Sequence, residues 1–147
     1  MSRIQLALNV GDLQASIDFY QQLFRTPPAK VREGYANFAI AEPPLKLVLI
    51  SGQGVPGTLN HLGVEVESTD DVAAAAARLQ GEGAVCEQQE STTCCYAVQD
   101  KVWVNGPEIP WEIYTVLADA SVMHQADDAC CAPAGDASTE VAPSACC

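Results

Sequence analysis

Basic residues are scarce in this chain. Its 147 residues include 7 lysines and arginines against 19 aspartates and glutamates, which gives a net charge of -12. A protein that binds the phosphate backbone of nucleic acids needs a basic surface, so we expect no nucleic-acid partner. The same deficit disfavours binding to an anionic membrane surface. The acidity does not by itself identify a substrate.

Long apolar runs are also missing. No stretch approaches the roughly 20 apolar residues of a transmembrane helix. The first residues, Met1 to Gln5, lead into an alternating strand pattern without the apolar segment of a signal peptide. We therefore expect a cytoplasmic protein, in which thiols stay reduced. A hydrophobic fraction of 48% predicts that most of the chain is globular. The sequence leaves open whether it is a monomer or a homodimer.

Cysteine, by contrast, is abundant. Cys86 stands alone, and the other six of the seven cysteines form three adjacent pairs: Cys94-Cys95, Cys130-Cys131 and Cys146-Cys147. An odd count arranged as neighbours is a poor disulfide framework, since adjacent cysteines bridge only through a strained ring. Pairs of thiols are better suited to binding a soft, thiophilic metal or metalloid.

The chain contains an internal repeat in which each half has the pattern β-α-β-β-β. In the first half, a helix is predicted at 13–24 and strands at 4–10, 29–32, 35–40 and 45–50. In the second half, a helix is predicted at 72–80 and β segments at 60–67, 84–88, 93–99, 101–104 and 110–117. The segments 93–99 and 101–104 are expected to form one long bent strand or a tight hairpin. Two such curled sheets, related by a pseudo-twofold axis, would form a cup of the α+β class.

Two alignments define the repeat, because residues 5–10 match 61–66 and residues 44–50 match 110–116. They place four polar residues at equivalent inward positions of the strands: Gln5, Lys46, His61 and Glu112. A carboxylate between apolar neighbours, as Glu112 is, needs a partner or a metal. Taken singly, His61 would more often be a core histidine and Gln5 a polar spacer. Lys46 cannot bind a metal as an ammonium group, and it would be solvated or salt-bridged.

The duplicated unit resembles the vicinal oxygen chelate superfamily, which includes glyoxalase I and the extradiol dioxygenases. The resemblance is closer to one branch, the organoarsenical C–As lyases and the related cadmium-induced proteins. It covers residues 1 to about 117, with modules of about 1–52 and 58–117, followed by a flexible cysteine-rich tail, 118–147. The segments that carry it are 5–10, 34–38, 43–47, 60–66, 93–96 with its Thr-Cys-Cys-Tyr run, 99–104 with Gln-Asp-Lys-Val-Trp-Val, and 110–114.

This resemblance implies a non-haem Fe(II) site that uses O₂ to cleave the carbon–arsenic bond of trivalent organoarsenicals such as methylarsenite. By position, the iron ligands would be Gln5, His61 and Glu112. Many extradiol relatives have a histidine where Gln5 stands, so this site would have one imidazole. Cys94 and Cys95 would hold the arsenic.

The positions of two adjacent residues in a strand limit how Cys94 and Cys95 could bind one arsenic atom. In a regular strand, Cys94 and Cys95 would point to opposite faces. Both can bind one arsenic only if the backbone departs from a strand, so we expect a mobile loop, turn or bulge over 92–96 near the mouth of the cup. The alternative is that the two cysteines are small buried hydrophobic residues within a strand.

Four further residues are expected to line the pocket or to pack beside it, with no proton-transfer role assigned: Tyr96, Lys101, Trp103 and Tyr114. The tail pairs would capture arsenicals through a flexible tether. One rival function is the sequestration of cadmium or arsenite by the cysteine pairs without catalysis. Another is extradiol cleavage or glyoxalase activity, neither of which accounts for Cys94 and Cys95.

Overall fold

The computed structural model describes residues 2–124. Its two helices are α1 (Leu13–Phe24) and α2 (Thr69–Gly81). Its strands are β1 (Arg3–Val10), β2 (Lys30–Arg32), β3 (Tyr35–Ile40), β4 (Leu45–Ser51), β5 (Leu59–Glu65), β6 (Cys86–Cys94), β7 (Ala97–Asn105) and β8 (Pro110–Asp119). Residues 125–147 lie outside the described residues, and with them the tail cysteines Cys130, Cys131, Cys146 and Cys147.

The eight strands form one sheet in the order β2-β3-β4-β1-β5-β8-β7-β6. The order on one side of the β1–β5 junction repeats on the other, since β1 pairs with β4 as β5 pairs with β8, in parallel. The two modules meet where β1 and β5 pair antiparallel. This arrangement confirms the predicted α+β fold with two β-α-β-β-β modules and a curled sheet.

The two helices cover one face of the sheet, and the other face carries polar side chains beside an apolar cluster of Ala7, Tyr35, Val48 and Ile50. Each helix begins at a side-chain cap, with Asp12 accepting from the amide of Ala15 and Ser68 from that of Asp71. Helix α1 packs Ile17 into a cluster of apolar residues from β3 and β4. Burying one such side chain contributes about 1.5–3 kcal/mol. Helix α2 packs in the same way in the second module, around Val72 and Ala76. Within residues 2–124, neither helix is long and apolar enough to cross a membrane.

The predicted β segment over 93–99 is wrong, because a turn interrupts it. β6 ends at Cys94, β7 begins at Ala97, and these two residues pair across the turn. Cys95 and Tyr96 between them have φ values of 57° and 59°. Of the two expectations for 93–99 and 101–104, the hairpin between them is wrong, because residues 97–105 form the single strand β7. The hairpin that exists joins β6 to β7 through residues 95–96. The pattern concealed it because this turn uses two bulky residues where Asn, Asp or Gly is usual.

Candidate functional site

Side chains from β1, β5 and β8 converge on the concave face of the sheet. Gln5 Nε2 lies 3.0 Å from His61 Nε2 and 2.7 Å from Glu112 Oε1. His61 Nε2 lies 3.2 Å from Glu112 Oε1. All three residues are buried, with exposed fractions of 4%, 2% and 3%. The structure thus brings together the three residues that the sequence analysis singled out as metal ligands.

Gly63 makes this convergence possible. It pairs with Gln5 on β1 and with Glu112 on β8, so it lies directly between them. A Cβ atom at position 63 would lie 3.1 Å from Glu112 Cγ and 3.4 Å from Gln5 Cβ. The glycine therefore lets the two side chains approach each other across β5. His61, two residues earlier on the same strand, shares that face.

The three converging atoms fit a divalent metal ion. Two ligands at right angles, each about 2.1 Å from an ion, are about 3.0 Å apart, and the separations here are 2.7, 3.0 and 3.2 Å. Gln5 would bind through Oε1, which requires a half-turn of its amide. The Tyr114 hydroxyl donates to Gln5 Oε1 and could accept from Nε2 after that rotation, so either orientation keeps a partner. Within residues 2–124 there is no metal-binding cluster of three His, Cys, Asp or Glu side chains, consistent with an amide as the third donor.

Lys101 holds the second oxygen of Glu112. Its Nζ lies 2.9 Å from Glu112 Oε2, and both side chains are buried. Burial raises the pKa of the Glu112 carboxyl, but the charges and hydrogen bonds of Lys101 and His61 outweigh it and hold that pKa well below its usual value. The carboxylate therefore stays ionised, with Oε2 directed to the lysine and Oε1 to the triad.

Asn60, which the sequence analysis did not select, orients the imidazole of His61. Asn60 Oδ1 lies 2.8 Å from His61 Nδ1, and Asn60 Nδ2 donates to Asn9 Oδ1 at 3.0 Å. The second bond fixes which end of the Asn60 amide faces the ring, so Nδ1 donates to Asn60 and Nε2 is the ring nitrogen left for a metal to bind. Trp103 packs edge-on against the imidazole, with 5.4 Å between ring centroids. The sequence feature that could have identified Asn60 is its position immediately before His61.

The β6–β7 turn brings the two predicted arsenic-binding thiols together. Cys94 Sγ and Cys95 Sγ are 3.4 Å apart. The left-handed backbone at Cys95 redirects its side chain, which in a regular strand would point away from that of Cys94. A turn is present, but it consists of Cys95 and Tyr96, whereas residues 92–94 belong to β6. The expected mobility of this segment stays a prediction. The structure has Cys94 in a disulfide, and Cys95 is not its partner, because a disulfide sulfur separation is about 2.05 Å. Binding through both sulfur atoms therefore requires reduced protein.

One cavity of about 190 Å³ connects the turn with the triad. Gln5 and Glu112 line it together with Cys95. Three cationic residues also line it, namely Arg3, Lys30 and Lys46, in a chain with only 7 lysines and arginines. One open cavity therefore contains a cysteine together with the oxygen and nitrogen donors of Gln5 and Glu112.

Lys46 is buried, not solvated. Its Nζ lies 3.4 Å from Glu65 Oε1 and 4.9 Å from the centre of the Tyr114 ring. Burial lowers the pKa of its ammonium group, although the charge of Glu65 opposes that shift. Of the two readings offered by the sequence, the salt-bridged one is confirmed.

None of the four residues expected to line the pocket or to pack beside it lines this cavity; three contact the triad and one belongs to the turn. Tyr114, Lys101 and Trp103 contact Gln5, Glu112 and His61 respectively. Tyr96 belongs to the turn, where its ring lies 5.6 Å from that of Tyr35 and its hydroxyl donates to the carbonyl of Glu33. The polar pocket residues that the sequence analysis missed are Arg3, Lys30, Tyr35, Asn37, Glu65 and Gln99.

The chain is similar to known proteins both in sequence and in fold. Residues 3–108 match the family model described as the Glyoxalase/Bleomycin resistance protein/Dioxygenase superfamily. The chain is 59% identical over 150 residues to a trivalent organoarsenical cleaving enzyme of Thermomonospora curvata, covering 100% of this chain and 99% of that protein. It is 61% identical over 124 residues to the cadmium-induced protein CadI of Mycobacterium tuberculosis, covering 84% and 82%. An extradiol ring-cleaving dioxygenase from B. fuscum matches in fold with a TM-score of 0.58 at 22% identity, covering 83% of this chain and 34% of that one.

Proposed function

This chain belongs to the Glyoxalase/Bleomycin resistance protein/Dioxygenase superfamily, and we propose that it cleaves the carbon–arsenic bond of trivalent organoarsenicals such as methylarsenite and releases arsenite. The observation that carries the proposal is the single cavity lined by Cys95, Gln5 and Glu112. The name of the 59% identical relative, a trivalent organoarsenical cleaving enzyme, supports the same reaction class.

The cysteine pair defines the substrate class. Trivalent arsenic forms three bonds and is soft, so it favours thiolate ligands. Two bonds to Cys94 and Cys95 leave one bond for carbon, which selects arsenicals with a single organic group. Such a molecule has two hydroxyl groups on arsenic, and the thiols displace both as water. A di-organic arsenical has one displaceable hydroxyl group and would bind one thiol.

Gln5, His61 and Glu112 would hold the metal, and Fe(II) suits their mixture of amide, imidazole and carboxylate donors. Bound Fe(II) would supply the activation of O₂. The overall reaction balances without a further reductant, because methylarsenite and O₂ together contain the atoms of formaldehyde and arsenite. The carbon is oxidised, the two oxygen atoms are reduced, and arsenic leaves as the trivalent hydroxide.

The protein itself contributes position and charge. The turn at 95–96 fixes the arsenic beside the cavity, so that the carbon–arsenic bond is held near the triad. Lys101 keeps Glu112 ionised and fixes the rotation of its carboxylate. Asn60 keeps the His61 Nε2 lone pair directed at the same point. Burial of the triad excludes bulk water from the reacting groups.

The main rival is sequestration of cadmium or arsenite by thiols. The observation that favours sequestration is the 61% identity of this chain to a relative named for its induction by cadmium. Sequestration needs neither O₂ nor the Gln5–His61–Glu112 triad, and it stops at a fixed amount of metalloid per protein. The proposed lyase activity needs both and continues beyond one equivalent.

The two functions separate in one assay. Reduced protein is loaded with Fe(II) without oxygen and mixed with a tenfold excess of methylarsenite, and air is then admitted. We expect more than one arsenite per protein, with one formaldehyde per arsenite, and none without O₂ or after removal of iron. Absence of arsenite from folded, iron-loaded protein would refute the lyase, and uptake of methylarsenite without cleavage would establish sequestration.

A further inference from the structure

Gln99 has an amide oxygen that is buried and lacks a hydrogen-bond partner within residues 2–124. The residue lies on β7 and is 3% exposed. A buried carbonyl oxygen without a donor is unfavourable, and such groups in folded proteins generally have a reason to be kept. The Gln99 amide oxygen can therefore accept a hydrogen bond from a ligand.

The orientation of this amide is fixed by its other end. Gln99 Nε2 donates to the backbone carbonyl of Cys94 at 3.0 Å. Because a carbonyl oxygen only accepts, the nitrogen must face Cys94, and exchanging the two ends of the amide would place two oxygen atoms against each other. Gln99 Oε1 therefore points away from the Cys94 carbonyl.

Gln99 also lines the cavity that contains Cys95 and the metal-site residues Gln5 and Glu112. Its amide is thus anchored to the backbone of one cysteine and shares the cavity with the other. A ligand that enters this cavity meets the Gln99 side chain, and a hydrogen-bond donor on the ligand would satisfy the oxygen once a shift of that side chain opens it to the cavity. The arsenic-bound hydroxyl groups of methylarsenite are such donors.

We infer that Gln99 is a substrate-positioning residue that accepts a hydrogen bond from an arsenic hydroxyl while the two thiols capture the arsenical. The inference rests on the proposed function, in which Cys94 and Cys95 hold the arsenic. The first thiol displaces one hydroxyl group as water and forms one arsenic–sulfur bond. The remaining hydroxyl donates to Gln99 Oε1 until the second thiol displaces it, again as water. One methylarsenite and two thiols give one dithiolate and two water molecules, with no change of oxidation state.

The test measures capture separately from cleavage. It uses reduced, metal-free full-length chain in which the other five cysteines, Cys86, Cys130, Cys131, Cys146 and Cys147, are serine. Stopped-flow mixing, followed by a thiol-alkylating quench and mass spectrometry of the protein, counts the remaining protein thiols with time and does not count released ethanethiol. One probe is methylarsenite, and the other is its bis(ethanethiolate), which carries no hydroxyl group and exchanges two ethanethiols for the two cysteines.

Gln99→Leu should slow the loss of the second thiol about tenfold with methylarsenite, the factor that corresponds to one hydrogen bond. With the bis(ethanethiolate), the variant and the parent should react at the same rate. If the leucine variant does not fold, Gln99→Asn replaces it in the test, because asparagine keeps the amide but is shorter by one methylene. It should also be slowed with methylarsenite and not with the bis(ethanethiolate). Gln53→Leu is the matched control, because Gln53 also has a buried amide oxygen without a partner in the described chain but does not line this cavity.

Equal slowing with both probes would overturn the inference, because it would mean that the substitution only displaces the turn. An unchanged rate with methylarsenite would overturn it as well. Neither result bears on carbon–arsenic cleavage, which the oxygen-dependent release of arsenite tests on the iron-loaded protein.

Discussion

Cys94 and Cys95 have their sulfur atoms 3.4 Å apart although they are adjacent in sequence and the first of them ends a β-strand. The left-handed backbone of Cys95 and Tyr96 produces this approach at a cost of roughly 1–2 kcal/mol per residue. Contacts from other elements stabilise the turn, since both Lys30 Nζ and the amide of Ala120 donate to the Tyr96 carbonyl at 2.9 Å. An unfavourable backbone thus persists where it brings two thiols together at a cavity, as strained segments often do at functional sites.

Replacing either thiol should weaken capture of the arsenical at the β6–β7 turn. Cys94→Ser or Cys95→Ser removes one of two linked bonds, and the loss of chelation should lower methylarsenite affinity and arsenite release at least about 100-fold. Isothermal titration and arsenite release measure the two effects. Cys86→Ser is the control, because Cys86 packs at the base of α2 in a separate cluster and should leave both values unchanged. Normal turnover by either variant of the pair would exclude the substrate-holding role.

Removing the buried ammonium of Lys101 should destabilise the metal-free protein and increase its dependence on metal. Lys101→Met leaves the Glu112 carboxylate buried without its closest cation, which costs about 3–5 kcal/mol. A divalent ion at the triad would supply positive charge in its place. Denaturant unfolding should therefore show a larger stabilisation by Fe(II) in the variant than in the wild type.

Arg78→Met is the matched control for that experiment. Arg78 pairs with Glu82 on the exposed surface of α2, so its loss should cost at most about 1 kcal/mol. Fe(II) should stabilise this variant as it does the wild type. A Lys101→Met variant that loses no more stability than Arg78→Met would contradict the role of the buried pair.

A side chain at Gly63 should separate the metal-site residues. Gly63→Ala places a methyl group 3.1 Å from Glu112 Cγ and 3.4 Å from Gln5 Cβ, so these side chains must shift. We expect metal affinity to fall about 10-fold or more, as for other changes to the support of a metal site. Gly81→Ala is the control, since a Cβ there meets no atom within 4 Å and should not change metal binding. Equal metal affinity in both variants would show that Gly63 is not required.

The hydroxyl of Tyr114 should matter for metal binding because it holds the Gln5 amide. Tyr114→Phe removes this hydrogen bond while the ring remains to pack against Lys46. Loss of an orienting partner typically weakens a metal site 10- to 100-fold. Tyr20→Phe, on the side of the sheet covered by α1, is the control. Metal titration monitored by competition with a chelator distinguishes them, and equal affinities would count against Tyr114 as a support of Gln5.

The sequence predicts the repeat well because inward and outward residues alternate along most of the strands, with register irregularities in only three pairings of the described sheet. Period two placed Gln5, His61 and Glu112 on one face, and the parallel and antiparallel pairings then brought them together. The position of the turn between β6 and β7 was harder to predict. Cys95 and Tyr96 are residues that rarely adopt positive φ, so the boundary between β6 and β7 had no local signal.

The supporting residues depend on long-range contacts that a linear pattern does not contain. Lys101 meets Glu112 only because β7 pairs with β8, and Lys30 meets the Tyr96 carbonyl across the two modules. Gln99 was not selected because an isolated glutamine in a strand resembles any polar spacer. Its amide oxygen becomes informative only when the surrounding atoms are known.

The central claim is that arsenic binds at Cys94 and Cys95 and a metal at Gln5, His61 and Glu112, with Cys95, Gln5 and Glu112 lining one shared cavity. The most direct measurement is anomalous diffraction at the arsenic and iron edges, from crystals of reduced protein loaded with Fe(II) and methylarsenite without oxygen. The account predicts an arsenic peak bonded to both sulfur atoms and an iron peak among the three triad side chains, within the same cavity. Iron bound at the cysteines, or arsenic bound away from both sulfur atoms, would contradict it.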